Sequence, residues 1–180
     1  NDFPVLNNGS YFDATIGTTG DDAFIVKFDN NGTQLWATYF GGDDGDEGAD
    51  VAIDSQDNLY LTGNTGSTNF PVQNTTSVGT YYVGAYNNGI DAFISKFTNN
   101  GTLLWSTYFG GTGYDVCLGI GIDGLDNLFI EGYTSSTNFP VLSSGYFFDG
   151  TNPNNQIKFF FSKFDNIGTC LLYTSPSPRD

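Results

Sequence analysis

The sequence predicts an all-β fold made of repeated antiparallel sheets, and three observations support this. Residues 35–42 (LWATYFGG) recur as residues 104–111 (LWSTYFGG), so that Trp36 and Trp105 are 69 positions apart. In residues 22–28 and their copy, residues 91–97, apolar side chains alternate with a period of two. No segment shows the period of an amphipathic helix.

The turns between the predicted strands fit hairpins. Asn31-Gly32 lies between the strands at residues 22–28 and 35–40, and Asn100-Gly101 occupies the same place in the next copy. Asn-Gly favours a type I′ turn, in which both residues have positive φ, so we expect that turn here. A second hairpin is predicted across residues 55–57, and its copy joins residues 121–123 to residues 127–130.

Four short strands recur about every 67 to 69 residues, which favours propeller blades over a sandwich. We predict about two and a half four-stranded antiparallel blades, that is, a partial β-propeller. Residues 1–47 form a partial blade, residues 48–111 a complete blade and residues 112–169 a truncated blade. By analogy with similar propellers, the complete blade would run outward from residues 50–54 through residues 58–62 and 91–97 to residues 104–109.

The ordered motifs resemble the bacterial seven-bladed β-propeller repeat (SBBP-type). The resemblance rests on residues 22–28 (DAFIVKF), 32–42 (GTQLWATYFGG), 58–63 (NLYLTG) and 69–71 (NFP) and their later copies. This sequence departs from the family pattern in its longer spacers, residues 72–90 and 141–158. It also has Asp57 where the family usually has glycine. The resemblance implies a repeat of a secreted or cell-surface bacterial protein.

The third copy of the repeat stops after Thr169. The repeat predicts LWSTYFGG next, but residues 170–180 read CLLYTSPSPRD. This stretch resembles one translated frame of a transposase adapter from shotgun, and hence metagenomic, sequencing libraries. We therefore interpret residues 170–180 as a non-native tail and leave them out of the predicted fold.

Composition excludes several classes of function. The chain has 180 residues, 20 acidic and 5 basic side chains, no histidine and a net charge of −15. This acidity argues against a nucleic-acid partner, which needs clustered Lys and Arg. No apolar run approaches the roughly 18 residues of a membrane helix, and histidine, the usual general base, is missing. We predict no catalytic residue and no bound cofactor.

Acidic residues 43–50 (DDGDEGAD) form the densest charged stretch and the weak candidate metal site. Asp43, Asp44, Asp46 and Asp50 could offer oxygen ligands to calcium, although their spacing is not that of an EF-hand. The second copy keeps one acid, Asp115, opposite Asp46. A solvated acidic loop is therefore the favoured interpretation.

The other candidate residues have structural explanations in the sequence. Glu47 and Glu131 lie outside any motif, so a pair of hydrolytic carboxylates is not supported. Cys117 is expected to be a buried small apolar side chain rather than a nucleophile. The lysines at the repeat position, including Lys27 and Lys96, are expected to point outward on an outer strand and to block edge pairing. The spacer tyrosines Tyr81, Tyr82 and Tyr86 are candidates for sugar stacking, although most aromatics should belong to the core.

The predicted function is that of a non-enzymatic structural or interaction repeat, a scaffold or adhesion module of a secreted or surface-displayed bacterial protein. Its partners would be neighbouring blades of the same chain and a protein or glycan at the cell surface. A carbohydrate- or calcium-binding propeller is the alternative, and a non-catalytic part of a secreted hydrolase is the third. Because each blade needs a neighbour on both faces, we expect aromatic sheet faces in water at both ends and a tendency to aggregate.

Overall fold

The fold is given by a computed structural model that describes residues 3–8, 11–74, 81–140, 154 and 156–174. Within these residues, ten strands form three antiparallel sheets and no helix is present. The strands are β1 (Ala23–Phe28), β2 (Gln34–Phe40), β3 (Asp46–Ile53), β4 (Leu59–Thr65), β5 (Asp91–Phe97), β6 (Leu103–Phe109), β7 (Asp115–Ile122), β8 (Leu128–Thr134), β9 (Lys158–Phe164) and β10 (Cys170–Thr174). The all-β prediction is confirmed.

The three sheets are successive blades. The first blade is the pair β1-β2, the second has the order β3-β4-β5-β6, and the third has the order β7-β8-β9-β10. Strand β7 contacts β3, β4 and β5, so the third blade packs against the second, while β1 contacts β3. Consecutive strands pair side by side in every blade, which is the arrangement of a partial β-propeller.

The middle blade is covered on both faces. All seven side chains of its third strand, β5, are buried. Strands β1 and β9 occupy the same position in the outer blades, and there buried and more exposed side chains alternate along most of the strand. Phe24 and Phe28 of β1 and Phe159 and Phe161 of β9 lie exposed on the outer faces. The predicted aromatic faces at both ends of the fragment are thus present.

Each pair of neighbouring blades shares an aromatic core that is centred on one phenylalanine. Phe109, the last residue of β6, is fully buried. Its ring centroid lies 5.2 to 5.7 Å from four rings, all meeting it edge to face: Tyr81, Phe139, Phe160 and Phe164. Phe40 of β2 occupies the equivalent place between the first and second blades, 4.9 to 5.9 Å from Tyr11, Phe70, Phe93 and Phe97. Edge-to-face contacts are favourable beyond the apolar area that they bury.

The long spacer of the second blade covers the outer edge of β6. Gln73 exchanges two backbone hydrogen bonds with Ser106, each 2.9 Å long, and Val83 accepts one from the N–H of Tyr108. In the first blade, Leu6 bonds in the same way to Ala37 of β2. The unusual spacer length therefore serves to pair an outer strand that would otherwise expose its backbone. Most of the spacer at residues 141–158 lies outside the described residues.

The hairpin turns differ from the predicted type I′. At residues 29–33, Gly32 has φ +81°, whereas Asn31 does not have positive φ. A carboxylate oxygen of Asp29 accepts the N–H groups of Asn31 and Thr33, both at 2.8 Å, and so holds the preceding residues in a turn with ordinary negative φ. The prediction was wrong because the aspartate side chain, rather than an Asn-Gly pair, shapes the loop.

The same turn recurs at residues 54–58 and 123–127 with aspartate in the left-handed position. Asp57 and Asp126 both have φ +61°. Asp54 accepts the N–H groups of Gln56 at 3.0 Å and Asn58 at 2.8 Å. Aspartate tolerates this conformation better than most residues, which explains why Asp57 replaces the glycine of the family pattern.

Residues 170–174 form β10, the outer strand of the third blade. Leu172 pairs with Lys163, as Trp105 pairs with Lys96 in the second blade. The backbone of this segment therefore does belong to the sheet, in contrast to its exclusion from the predicted fold. Its interpretation as adapter sequence stays a prediction, and residues 175–180 lie outside the described part of the chain.

A pair of phenylalanine substitutions tests the inter-blade core. Phe109→Ala should lower the free energy of unfolding by about 3–5 kcal/mol, because it leaves a cavity between four rings. Phe159→Ala, at a side chain that is 63% exposed, should change it by at most about 0.5 kcal/mol. Denaturant unfolding of dilute protein, followed by tryptophan fluorescence, measures both; equal losses would contradict the assignment of the core.

Candidate functional site: the blade junctions

Chemically distinctive side chains meet where one blade passes into the next. After β6, the chain crosses through Gly110 and Gly111 to Asp115, the first residue of β7. One carboxylate oxygen of Asp115, Oδ2, accepts the Gly111 N–H and the Ser136 hydroxyl, both at 2.7 Å. The Asp115 N–H donates to the Ile90 carbonyl at 2.7 Å. This aspartate therefore fastens the linker, the preceding blade and its own blade together.

The junction between the first and second blades repeats this geometry. Asp46 begins β3, and its Oδ2 accepts the Gly42 N–H at 2.6 Å and the Ser67 hydroxyl at 2.8 Å. Its N–H donates to the Asp21 carbonyl at 2.6 Å. Burial raises the pKa of Asp46 and that of Asp115, although these hydrogen bonds oppose the increase.

The four candidate metal ligands occupy different environments. Asp46 is buried in the junction, while Asp43 and Asp44 are exposed beside it, their N–H groups donating to Asn69 and Ser67. Asp50 lies farther along β3 and accepts the Ile120 N–H of the third blade at 3.0 Å. Within the described residues, no three Asp, Glu, His or Cys side chains converge as metal ligands would.

A second aspartate faces each junction aspartate across a glycine. A Cβ on Gly110 would stand 2.8 Å from Oδ1 of Asp91 and 2.6 Å from Oδ2 of Asp115. A Cβ on Gly41 would stand 2.6 Å from Oδ1 of Asp22 and 2.7 Å from Oδ2 of Asp46. Each GG motif thus supplies a residue small enough to lie between two carboxyl groups, and this pairing was not predicted from sequence.

The paired aspartates are electrostatically unusual. Burial raises the pKa of Asp91 to about 6; the Asn87 N–H opposes this increase, while the charge of Asp115 adds to it. Burial likewise raises the pKa of Asp22 to about 6, with Asp46 among the contributing charges. Oδ1 of each of the four aspartates is buried and has no hydrogen-bond partner among the described residues (Asp22, Asp46, Asp91 and Asp115). Buried polar atoms without a hydrogen-bond partner are rare in folded proteins, and carboxyl groups with shifted pKa values cluster at functional sites. The two junctions are therefore the candidate functional sites of this chain.

The lysines bind across the blades, which corrects their predicted role. Lys96 lies on β5, an internal third strand, and is 7% exposed. Its Nζ pairs with Asp54 at 3.1 Å, donates to the Asn166 carbonyl of the third blade at 3.0 Å and lies 4.6 Å from the centre of the Tyr60 ring. The edge-blocking interpretation was wrong because Lys96 is buried on an internal strand, where it binds Asp54 of its own blade and a carbonyl 70 residues away on the next blade. Lys27 makes the equivalent bond to the Asn99 carbonyl.

The remaining candidate residues either pack in the core or lie apart from one another. Cys117 is fully buried in the core and burial raises its pKa to about 12, which confirms its apolar role. Tyr81 packs on Phe109 and Tyr86 on Tyr108, while Tyr82 is exposed, so the three do not form one stacking surface. Glu47 and Glu131 are both exposed on different blades.

Comparison with known proteins places these motifs in a family. A sequence profile described as "Beta-propeller repeat" (SBBP) matches residues 35–71 and 104–140. Two segments of the chain thus match the SBBP β-propeller repeat. Each match runs from an outer strand through the GG junction, the junction aspartate and the first hairpin of the next blade to the Asn-Phe-Pro triplet. Each matched segment therefore spans a junction and parts of two blades.

One relative extends the similarity over most of the chain. It is the "Uncharacterized WD repeat-containing protein L264" of Acanthamoeba polyphaga mimivirus, 30% identical over 183 residues. The match covers 87% of this chain but 12% of that relative. Both findings indicate a repeat-built interaction module. The described residues include no helix that could cross a lipid bilayer.

Substitution of two equivalent lysines tests the buried ion pair between Lys96 and Asp54 of the second blade. Lys96→Ala leaves the buried Asp54 carboxylate without its cation and should cost about 3–5 kcal/mol of the free energy of unfolding. Lys27→Ala, at a half-buried site that bonds a carbonyl, should cost at most about 1 kcal/mol. Denaturant unfolding provides the measurement.

The pH dependence of this ion pair supplies a further check. Burial alone would raise the pKa of Asp54, but hydrogen bonds from Asn58 and the Lys96 ammonium outweigh it and lower the pKa. The stabilisation is therefore present at neutral pH and lost as pH falls through the acidic range. The difference between the wild-type chain and Lys96→Ala should shrink in acid, and a difference that is constant with pH would contradict the pairing.

Proposed function

We propose that this chain is a non-enzymatic section of a secreted or cell-surface β-propeller that serves as an interaction scaffold. The observation that carries the proposal is the chemistry of its two open sheet faces. The face of β5 that meets the first blade presents Phe93 and Phe97 to Phe40. The exposed Phe24 and Phe28 occupy the same positions on β1, so the first blade offers the same kind of face to a further partner.

The third blade is open on its opposite side. Phe159 and Phe161 of β9 are exposed there, while their neighbours Phe160 and Phe164 are buried against the second blade. The two ends of the fragment thus carry the two halves of the contact that joins neighbouring blades inside it. Exposed aromatic surfaces of this kind are characteristic of interaction sites.

A cavity beside the first blade agrees with this interpretation. It has a volume of about 980 Å³ and opens between β1 and β3, where Ala23, Phe24, Val51 and Leu61 line it. Acidic side chains also line it: Asp21, Asp22, Asp44, Asp46, Glu47 and Asp50. The first blade has two strands within the described residues, whereas the second and third have four. The cavity lies where an inner part of the first blade would pack, so the interaction that we propose is the addition of blade-like sheet.

The secreted or surface location is supported by composition. The net charge of −15, a surface with several exposed acidic turns and the near absence of cysteine suit a solvated extracellular scaffold. A carbohydrate or calcium role gains no support from the tyrosines or from acids 43–50, because their side chains are separated or packed. Fractionation of cells that express the parent protein tests location, and recovery from the cytosol alone would overturn this part.

Self-association of the chain tests the interaction role. We expect its weight-average mass in sedimentation experiments to increase with concentration, because open faces of neighbouring molecules can cover one another. Phe24→Ser combined with Phe159→Ser should suppress the increase severalfold. Leu125→Ser is the matched control, since Leu125 is 81% exposed but lies in a turn rather than on a sheet face.

Two outcomes distinguish association through the open sheet faces from non-specific aggregation. A chain that stays monomeric at every concentration would contradict receptive end faces. Suppression by Leu125→Ser to the same extent as by the double phenylalanine variant would show that association does not use the sheet faces.

A further inference from the structure

The junction between the second and third blades holds two buried carboxyl groups that face the same small volume. Asp91 and Asp115 are both fully buried. Oδ1 of Asp91 and Oδ2 of Asp115 both lie within 2.8 Å of the point where a Gly110 side chain would begin. Oδ1 of each residue has no hydrogen-bond partner. Two ionised carboxylates in this buried position would repel each other.

The two carboxyl groups are unequally supported. Asp115 accepts two short hydrogen bonds, from the Gly111 N–H and the Ser136 hydroxyl, both at 2.7 Å. Asp91 accepts a longer bond from the Asn87 N–H at 3.1 Å. Donors stabilise the ionised form, so the charge belongs on Asp115 and the proton on Asp91.

The same inequality recurs 69 residues earlier in the chain. Asp46 accepts the Gly42 N–H at 2.6 Å and the Ser67 hydroxyl at 2.8 Å, as Asp115 does. Asp22 accepts the Gly17 N–H at 3.2 Å, as Asp91 accepts that of Asn87. A repeated geometry with one strongly and one weakly supported carboxyl indicates a property of the junction rather than an accident of one loop.

We propose that Asp91 is a neutral carboxylic acid that donates its proton in a hydrogen bond to the Asp115 carboxylate, and that this bond joins neighbouring blades. One proton would remove the repulsion and satisfy the unpartnered Oδ1 of Asp91. Asp91 begins the third strand of the second blade and Asp115 begins the first strand of the third blade. The bond therefore acts across the interface on which the stacking of the blades depends.

Four of the titratable groups around the pair, three tyrosines and one cysteine, stay neutral in the relevant pH range, and the fifth is a lysine. Tyr108 on β6 and Cys117 on β7 are both near the carboxyl groups, and burial raises the pKa of each to about 12. Burial also raises the pKa of Tyr81 and of Tyr86 in the spacer. On the third blade, Lys158 of β9 pairs in register with Thr134, the cross-strand partner of Asp115.

The sign of the pH dependence follows from the position of the proton. Burial raises the pKa of Asp91 from 3.8 to about 6, so between these values the folded chain holds a proton that the unfolded chain releases. Stability should fall as pH rises through this window and be constant above it. The junction should therefore be most stable at the acidic end of this window.

Asp91→Asn provides the test, because an amide donates to Asp115 without titrating. In the full chain at concentrations below self-association, the unfolding equilibrium constant of the wild type relative to Asp91→Asn should rise by up to about tenfold per pH unit between pH 3.8 and about 6. Asp57→Asn is the matched control for loss of a carboxyl group, because Asp57 is exposed and lies outside the blade junctions. A ratio for Asp91→Asn that does not change across this window would overturn the proposal.

Carboxyl-carbon NMR of the wild-type chain keeps the proposal testable even where a variant fails to fold. The Asp91 signal should titrate near pH 6 while that of Asp115 remains in its ionised position. Ionisation of both groups at pH 5 would contradict a shared proton. Calcium chloride at pH 7 supplies the remaining arm: stabilisation of the wild type but not of Asp91→Asn would show a bound cation in place of the proton.

Discussion

Insertion of one phenylalanine into the next blade is the contact on which the rest of this structure depends. Phe40 and Phe109 each end an outer strand and are completely buried among rings of the following blade. The contact lies immediately before the glycine pair that leads into that blade, so its position also sets the path of the linker. Because a four-stranded sheet this small buries little by itself, each blade depends on a neighbour for a dry interior.

Hydrogen bonds between blades then fix the angle at which neighbouring blades meet. Lys96 reaches the Asn166 carbonyl, and Ser55 donates to Asp126 from its N–H at 2.9 Å and from its hydroxyl at 2.6 Å. Asp50 accepts the N–H of Ile120 on the next inner strand. These bonds are directional where the aromatic contact is not, so the apolar core supplies the attraction and the charged groups select one arrangement.

The repeat made it possible to predict the architecture from the sequence. Contacts between distant copies of the repeat could not be predicted in this way. Alternation and turn residues are local, so they correctly predicted the strands, while the order β3-β4-β5-β6 was expected by analogy with similar propellers. The burial of Lys96 could not be derived in the same way, since its carbonyl partner belongs to another copy of the repeat. The turn type was wrong because one Asp29 side chain overrides the usual preference of Asn-Gly. The carboxyl pairs were missed because Asp91 and Asp115 are 24 positions apart and meet only when the blades stack.

The covering of β6 by its own spacer constrains the geometry of any larger assembly. Gln73 and Val83 occupy backbone groups on the rim of the second blade, and Leu6 does the same on the first. Another strand therefore cannot add to the outer edges of β2 and β6. The outward sheet faces of the first and third blades stay open. Added units would extend the stack through these end faces. Because propeller blades are arranged around a central channel, growth of this kind leads toward a closed ring rather than a fibre with branching sheets.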